Sequence, residues 1–287
     1  MTTNELFKRK VHKEDMGNTK LIKGKFVNNN SENLVIVFQA AGVLSKEDFE
    51  CIVDGKMSKE ELNLKHQKYS WYKFSETDYA DYFFIEDQFS SSYGWYMIDS
   101  GKSIIQEFNK ELEKLIIEKG YKSVTAFGSS KGGVGALLYG LINPKIDRVF
   151  SLVPQIHPVN YIDKYLEKYK SLFFPQQDIE IEKYFNNIFF NEDLYKEGNH
   201  INTKVYLYTG IGDEQYKPVL EFNQFLSEKI GSKSNIIINT SLKKHNPIVI
   251  ENVPFVRSAL KLIATDSEMK GPRLSNIRDN ILLLRDK

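Results

Sequence analysis

Short β-branched runs alternate along this chain with longer stretches in which apolar residues return every three or four positions. Residues 34–38 (LVIVF) are continuously apolar, which suits a central strand buried on both faces. Residues 81–87 (DYFFIED), 123–127 (SVTAF), 147–153 (DRVFSLV), 204–209 (KVYLYT) and 235–239 (NIIIN) repeat that signature, and the last is expected to be the final strand. Residues 20–27 (KLIKGKFV) alternate only weakly and fit an edge strand. Over 102–119, Ile104, Ile105, Phe108, Leu112, Leu115 and Ile116 share one helical face, and Gly120 stands where a helix C-terminus favours a missing Cβ. Further helices are expected over 132–141, over 218–230 up to Gly231, and over 248–263. This cadence predicts an α/β fold with a doubly wound, mostly parallel sheet.

Three segments depart from the cadence. Residues 1–33 read as a polar lead-in followed by the edge strand. Residues 155–200 read as a helical insert rich in aromatics, among them Tyr161, Tyr165, Tyr169, Phe173, Phe174, Tyr184, Phe185, Phe189 and Phe190. They are too many for one amphipathic face, so some are expected to line a pocket, with Tyr93, Trp95 and Tyr96 of a hydroxyl-rich loop opposite. His157 is placed either in that lining or in a surface or core role. In 264–287, Leu274, Ile277, Ile281 and Leu284 recur at helical spacing and predict a tail helix docked on the sheet or on a sister subunit, a possible homo-oligomer contact. The α/β core is then 34–154 and 201–263, and nothing Pro-, Gly- or Ser-rich divides the 287 residues, so one large domain is expected.

Composition narrows the partners. Lys plus Arg number 39 against 38 for Asp plus Glu, a balance that argues against nucleic acid or an anionic membrane. Cys51 is the single cysteine, so no internal disulfide forms, and no CxxC or His/Cys cluster calls for a metal or another cofactor. The first residues lack an apolar core of a leader, and no run approaches a bilayer's span, so a cytoplasmic protein without a membrane span is expected.

The candidate chemistry centres on residues 128–132, Gly-Ser-Ser-Lys-Gly, between the strand at 123–127 and the small apolar helix at 132–141. This G-x-S-x-G pattern is the sharp strand-to-helix turn that lifts a serine hydroxyl above a sheet. Glycines two before and two after the serine relieve the crowding of such a turn. A serine needs a base, and the base an orienting group. Of five histidines only His245 lies between the final predicted strand and helix, and Asp213 follows the preceding strand, with Glu214 its nearest rival and Asp99 a distant one. Both candidates sit at carboxyl ends of strands, the rim where open α/β sheets bind ligands.

On Gly128–Gly132, Asp213 and His245 the chain resembles the α/β-hydrolase superfamily over roughly residues 34–263. The resemblance implies Ser130 as nucleophile, His245 as general base and acid, and Asp213 as the group that sets the imidazole tautomer. It further implies an oxyanion hole from the Lys131 N–H and that of Gln39 or Ala40, and a lid at 155–200. More loosely, the GSSKGG elbow and aromatic insert look like a bacterial subgroup of accessory-Sec-system acetyltransferases and capsule-biosynthesis relatives. The expected function is a serine esterase acting on a small-molecule or glycan acyl ester. The alternatives are O-acyl transfer to a glycan by the same residues, for which the Lys131 charge would suit an anionic donor, and a non-catalytic scaffold. A phosphate-binding loop at Gly101-Lys102-Ser103 is disfavoured because Tyr96 occupies the position where the motif needs glycine.

Overall fold

The computed structural model describes residues 19, 21–88, 92–196, 201–232, 234–267, 274–276 and 281–285. The lead-in with His12, the loop residues 89–91, His200 and Ile277 fall outside the described residues. The strands are β1 (Gly24–Val27), β2 (Asn33–Phe38), β3 (Asp81–Ile85), β4 (Ile98–Asp99), β5 (Lys102–Ser103), β6 (Ser123–Ser129), β7 (Arg148–Leu152), β8 (Lys204–Gly210), β9 (Ser234–Asn239), β10 (Leu274–Asn276) and β11 (Ile281–Arg285). Nine of them form one sheet in the order β1-β3-β2-β6-β7-β8-β9-β11-β10, while β4 and β5 make a separate hairpin. From β3 through β9 every neighbouring pair is parallel. β1 lies antiparallel on one edge, as its weak alternation suggested.

The pleat of β2 shows how two cores arise from one strand. Leu34, Ile36 and Phe38 point to one face and Val35 and Val37 to the other, all fully buried. α1 (Lys46–Val53) and α2 (Lys59–His66) each open on a capping box, Ser45 with Asp48 and Ser58 with Glu61. α3 (Ile105–Lys119) ends on Gly120 in the left-handed region at φ 64°. α4 (Lys131–Ile142) is buried at every residue, because it lies across the centre of the sheet against β6, β7 and β2. The insert carries α5 (Pro158–Tyr165), α6 (Lys170–Phe173) and α7 (Ile179–Asn186) with short 3-10 turns between and after them. α8 (Tyr216–Phe225) runs on as a π-helical turn to Gly231.

The helix expected over 248–263 is two helices, α9 (His245–Ile250) and α10 (Val253–Ala264). Pro254 has no N–H for the carbonyl four residues before it, so it suits the first turn of a new helix and interrupts an old one. α10 covers the Val35 face through Val256, Leu260 and Ile263, while α3, α4 and α8 cover the Ile36 face, which makes the sheet doubly wound.

Two expectations give way. The tail is not a helix: Ile281–Arg285 pairs antiparallel with β9 (Leu283 opposite Ile237), and Leu274–Asn276 pairs on β11. A short apolar run fits either period, and the open edge of β9 offers a ladder of backbone partners that a helix would leave unpaired. The segment suggested as a subunit contact is therefore built into this chain's own sheet. The aromatic insert, in turn, is mostly core. Tyr169, Phe173, Phe174, Phe185 and Phe189 are buried, with Tyr169 stacked on Phe49 of α1 at 5.1 Å and Phe189 packed on Phe222 of α8 at 5.3 Å.

Candidate active site

The carboxyl ends of β6, β7, β8 and β9 converge on Ser130. This residue joins β6 to α4 with φ 55° and ψ −121°, a region that L-residues avoid, and its N–H donates to the Leu152 carbonyl at 2.9 Å. The flanking glycines make the turn feasible. A Cβ on Gly128 would stand 2.2 Å from the Gly132 oxygen, and one on Gly132 would stand 2.2 Å from the Phe38 oxygen. The second distance also shows that the end of β2 lies directly against the start of α4.

His245 is the first residue of α9. Its Nε2 lies 2.9 Å from Ser130 Oγ, and its Nδ1 lies 3.0 and 3.1 Å from the two oxygens of Asp213. Asp213 sits in the turn after β8, where its N–H donates to the Gly210 carbonyl. A Cβ on Gly212 would fall 2.3 Å from the Leu242 carbonyl carbon, so this glycine lets the loops after β8 and β9 touch and brings acid and imidazole together. The Asp213 side chain is fully buried and the His245 ring is 22% exposed. A carboxylate only accepts, so Nδ1 donates to Asp213 and leaves Nε2 to accept from the Ser130 hydroxyl. The rival Glu214 faces the insert, accepting from Lys164 Nζ at 2.6 Å and Tyr165 Oη at 3.0 Å, and Asp99 belongs to the β4–β5 hairpin.

Of the two expected oxyanion donors after β2, one is occupied. Gln39 N–H donates to Tyr96 Oη at 2.6 Å, while the Ala40 N–H has no partner among the described residues. Lys131 N–H belongs to the first turn of α4, whose donors have no partner within the helix.

The Lys131 side chain runs the opposite way from the expectation. It is 0% exposed, with Nζ 2.5 Å from Asp87 Oδ2 and over the rings of Tyr93 and Tyr96. Burial pulls the ammonium below the usual lysine value and Asp87 opposes that pull. The charge is therefore spent inside the protein and faces no anionic donor. Tyr93, Trp95 and Tyr96 are buried with it. Trp95 Nε1 donates to Gln155 Oε1 at 2.8 Å, and Tyr96 Oη donates to the Ile85 carbonyl at 2.9 Å. A polar-tipped aromatic satisfies its tip with backbone as readily as with ligand, so composition alone could not separate the two uses. His157 binds the Asn186 carbonyl through Nδ1 at 2.9 Å and stacks on Phe190, so it ties α5 to α7 and stays within the insert.

Sequence reasoning passed over Trp71, Asp87 and His66. Trp71 adopts φ 65° and points its indole N–H at Ser129 Oγ, 3.3 Å away, beside the elbow. His66, at the end of α2, is buried near Lys131 and Asp87. No periodic or motif signal marks these positions; Asp87 follows Glu86 at the end of the apolar run 82–85, and nothing in the sequence separates the two acids. Among the described residues no group of three or more His, Cys, Asp or Glu side chains is arranged to hold a metal, and no helix is long and apolar enough to cross a membrane.

No protein-family model matches the chain, and no curated protein matches its sequence. Solved structures do match the fold. A capsule O-acetyltransferase of Neisseria meningitidis serogroup A aligns with TM-score 0.60 at 18% identity over 85% of this chain and 90% of that one. A glycosylation-associated Gap123 complex from Streptococcus agalactiae aligns with TM-score 0.57 at 15% identity over 86% of this chain and 46% of that one. The Pyrococcus furiosus esterase Pf2001 aligns with TM-score 0.50 at 14% identity over 84% of this chain and 86% of that one. The fold is of the α/β-hydrolase type, shared by esterases and acetyltransferases.

Proposed function

We propose that this chain cleaves an acyl ester through an acyl-Ser130 intermediate, as a serine esterase. The observation that carries the reading is the continuous relay from Ser130 Oγ through His245 to Asp213, with each gap at hydrogen-bond length. Ser130 Oγ attacks the ester carbonyl carbon as His245 Nε2 takes its proton. Asp213 holds the imidazolium that results. The carbonyl oxygen becomes an oxyanion facing the Lys131 and Ala40 N–H groups. Collapse breaks the ester C–O bond, and His245 returns the proton to the leaving alcohol. Water then gives a proton to His245 and attacks the acyl group, releasing the acid and restoring Ser130. Ser130 and His245 are both partly exposed, and among the described residues no hydrogen bond from the insert reaches either, which suits water as acceptor.

A second reading has one specific support. The alignment with the capsule O-acetyltransferase has a higher TM-score than that with the esterase, 0.60 against 0.50, and spans nearly that whole chain. In this reading a sugar hydroxyl takes the place of water, and the insert at 155–200 acts as the lid that positions it. Incubating the protein with para-nitrophenyl acetate, with and without candidate sugars, tests both. Free acetate with no acetylated sugar supports hydrolysis; acetylated sugar formed at the expense of acetate replaces it with transfer. Unchanged turnover in Ser130→Ala refutes both.

A further inference from the structure

We propose that Tyr96, held in place by Asp87 and Lys131, is a positioning residue for the oxyanion loop at residues 39–40, and that the second oxyanion donor is the Ala40 N–H and not that of Gln39. The inference rests on the acyl-Ser130 reading and adds residues that the elbow motif does not contain.

The connections run unbroken from the elbow to the loop. Lys131, the residue after the nucleophile, binds Asp87 Oδ2 through Nζ at 2.5 Å. The other oxygen, Asp87 Oδ1, accepts from Gly94 N–H at 3.2 Å and Tyr96 N–H at 3.1 Å. Tyr96 then returns to the site: its Oη accepts from Gln39 N–H at 2.6 Å and donates to the Ile85 carbonyl at 2.9 Å. All of these side chains are buried, so water does not compete for the bonds. Trp95 and Tyr96 are two consecutive non-glycine residues with positive φ, 52° and 59°. Such a backbone persists where its surroundings over-determine it, and the Asp87 carboxylate bound to the Tyr96 N–H supplies that constraint.

The consequence for chemistry is geometric. Oxyanion stabilisation requires donors fixed before the charge develops. The 39–40 backbone is held by Gly132 of α4, against which the Phe38 and Gln39 backbone packs, by the Gln39 side chain, which donates to the Val37 carbonyl and accepts from Ser70 N–H, and by the Tyr96 hydroxyl that clamps Gln39 N–H. With Gln39 N–H engaged, Ala40 N–H is the donor of residues 39–40 that has no partner among the described residues.

The test compares para-nitrophenyl acetate with its thionoacetate, in which sulfur replaces the carbonyl oxygen and fits the donors poorly. Tyr96→Phe should lower kcat on the oxygen ester about 10- to 100-fold with KM unchanged, part of the loss seen when a donor is removed outright. The kcat ratio of oxygen ester to thionoester should shrink by a similar factor. Tyr195→Phe removes another buried hydroxyl, one that donates to the Phe189 carbonyl at 2.7 Å within the insert, and should leave that ratio at its wild-type value. A folded Tyr96→Phe enzyme with a wild-type ratio overturns the proposal. Should Tyr96→Phe not fold, amide hydrogen exchange in the wild type decides: protection at Gln39 with fast exchange at Ala40 supports it, and fast exchange at both overturns it. Ser130→Ala runs alongside, since turnover surviving in that variant removes the acyl-serine reading and leaves the Gln39 exchange result standing by itself.

Discussion

His66 makes the stability of this protein depend on pH in a calculable way. Burial, then the nearby Lys131 ammonium, pulls its pKa from the ordinary 6.5 down to about 4 in the folded chain, outweighing Asp87 and a bond to the Ser92 backbone that pull it up. Its Nε2 is buried without a hydrogen-bond partner among the described residues, so a proton added there would stand unpaired. Between those two values the unfolded chain binds a proton that the folded chain refuses. The stabilisation is therefore complete above pH 6.5 and is lost as pH falls toward 4. Linkage gives a loss of about 2 kcal/mol by pH 5 and about 3 kcal/mol once both states are protonated. Urea unfolding at pH 7.5 and pH 5 measures it. Asp48, Glu214 and Asp266 also carry lowered pKa values and weaken the fold in acid, so the quantity to read is the difference between wild type and His66→Gln. The variant should lose about 2 kcal/mol less than wild type over that interval. Equal losses in the two proteins would refute the assignment of His66 as a buried neutral imidazole.

Two further outcomes follow from the same geometry. Asp213→Asn can donate to Nδ1 and so favours the tautomer with the proton on Nε2, which cannot accept from Ser130; kcat should fall about 10³- to 10⁴-fold with KM little changed, and steady-state kinetics on an acetyl ester would show a much smaller loss if Asp213 merely filled space. Lys131→Met leaves the Asp87 carboxylate buried and uncompensated and should cost about 3–5 kcal/mol, read from the urea midpoint; adding Asp87→Asn to the same chain should recover part of that loss, and strict additivity of the two changes would deny their coupling.

Much of the fold was legible because its strands are buried on both faces. A run such as residues 34–38 has no polar position to spare in a parallel sheet, so its strand character survives any detail of packing. The elbow was legible for a steric reason: the turn at Ser130 excludes Cβ atoms at 128 and 132, and that exclusion is written in the residues themselves. Asp213 and His245 could be placed by order because a parallel sheet puts every strand's carboxyl end on one rim.

What the sequence left undecided depended on neighbours distant along the chain. Residues 281–285 form a strand because the edge of β9 is open beside them, and their own apolar run fits a helix equally well. The direction taken by the Lys131 side chain was set by Asp87, 44 residues away, and the engagement of the Gln39 N–H by the Tyr96 hydroxyl, 57 residues from Gln39. Tyr93, Trp95 and Tyr96 went to the core because the buried face needed their area, and Gln155 and the Ile85 carbonyl supplied partners for the polar tips of Trp95 and Tyr96. Local patterning determined where strands, helices and the strand-to-helix turn at Ser130 lie, since those depend on periodicity and backbone sterics. Only the tertiary structure decided which charges are buried and which backbone donors stay free, because those depend on which side chains long-range packing brings within 3 Å.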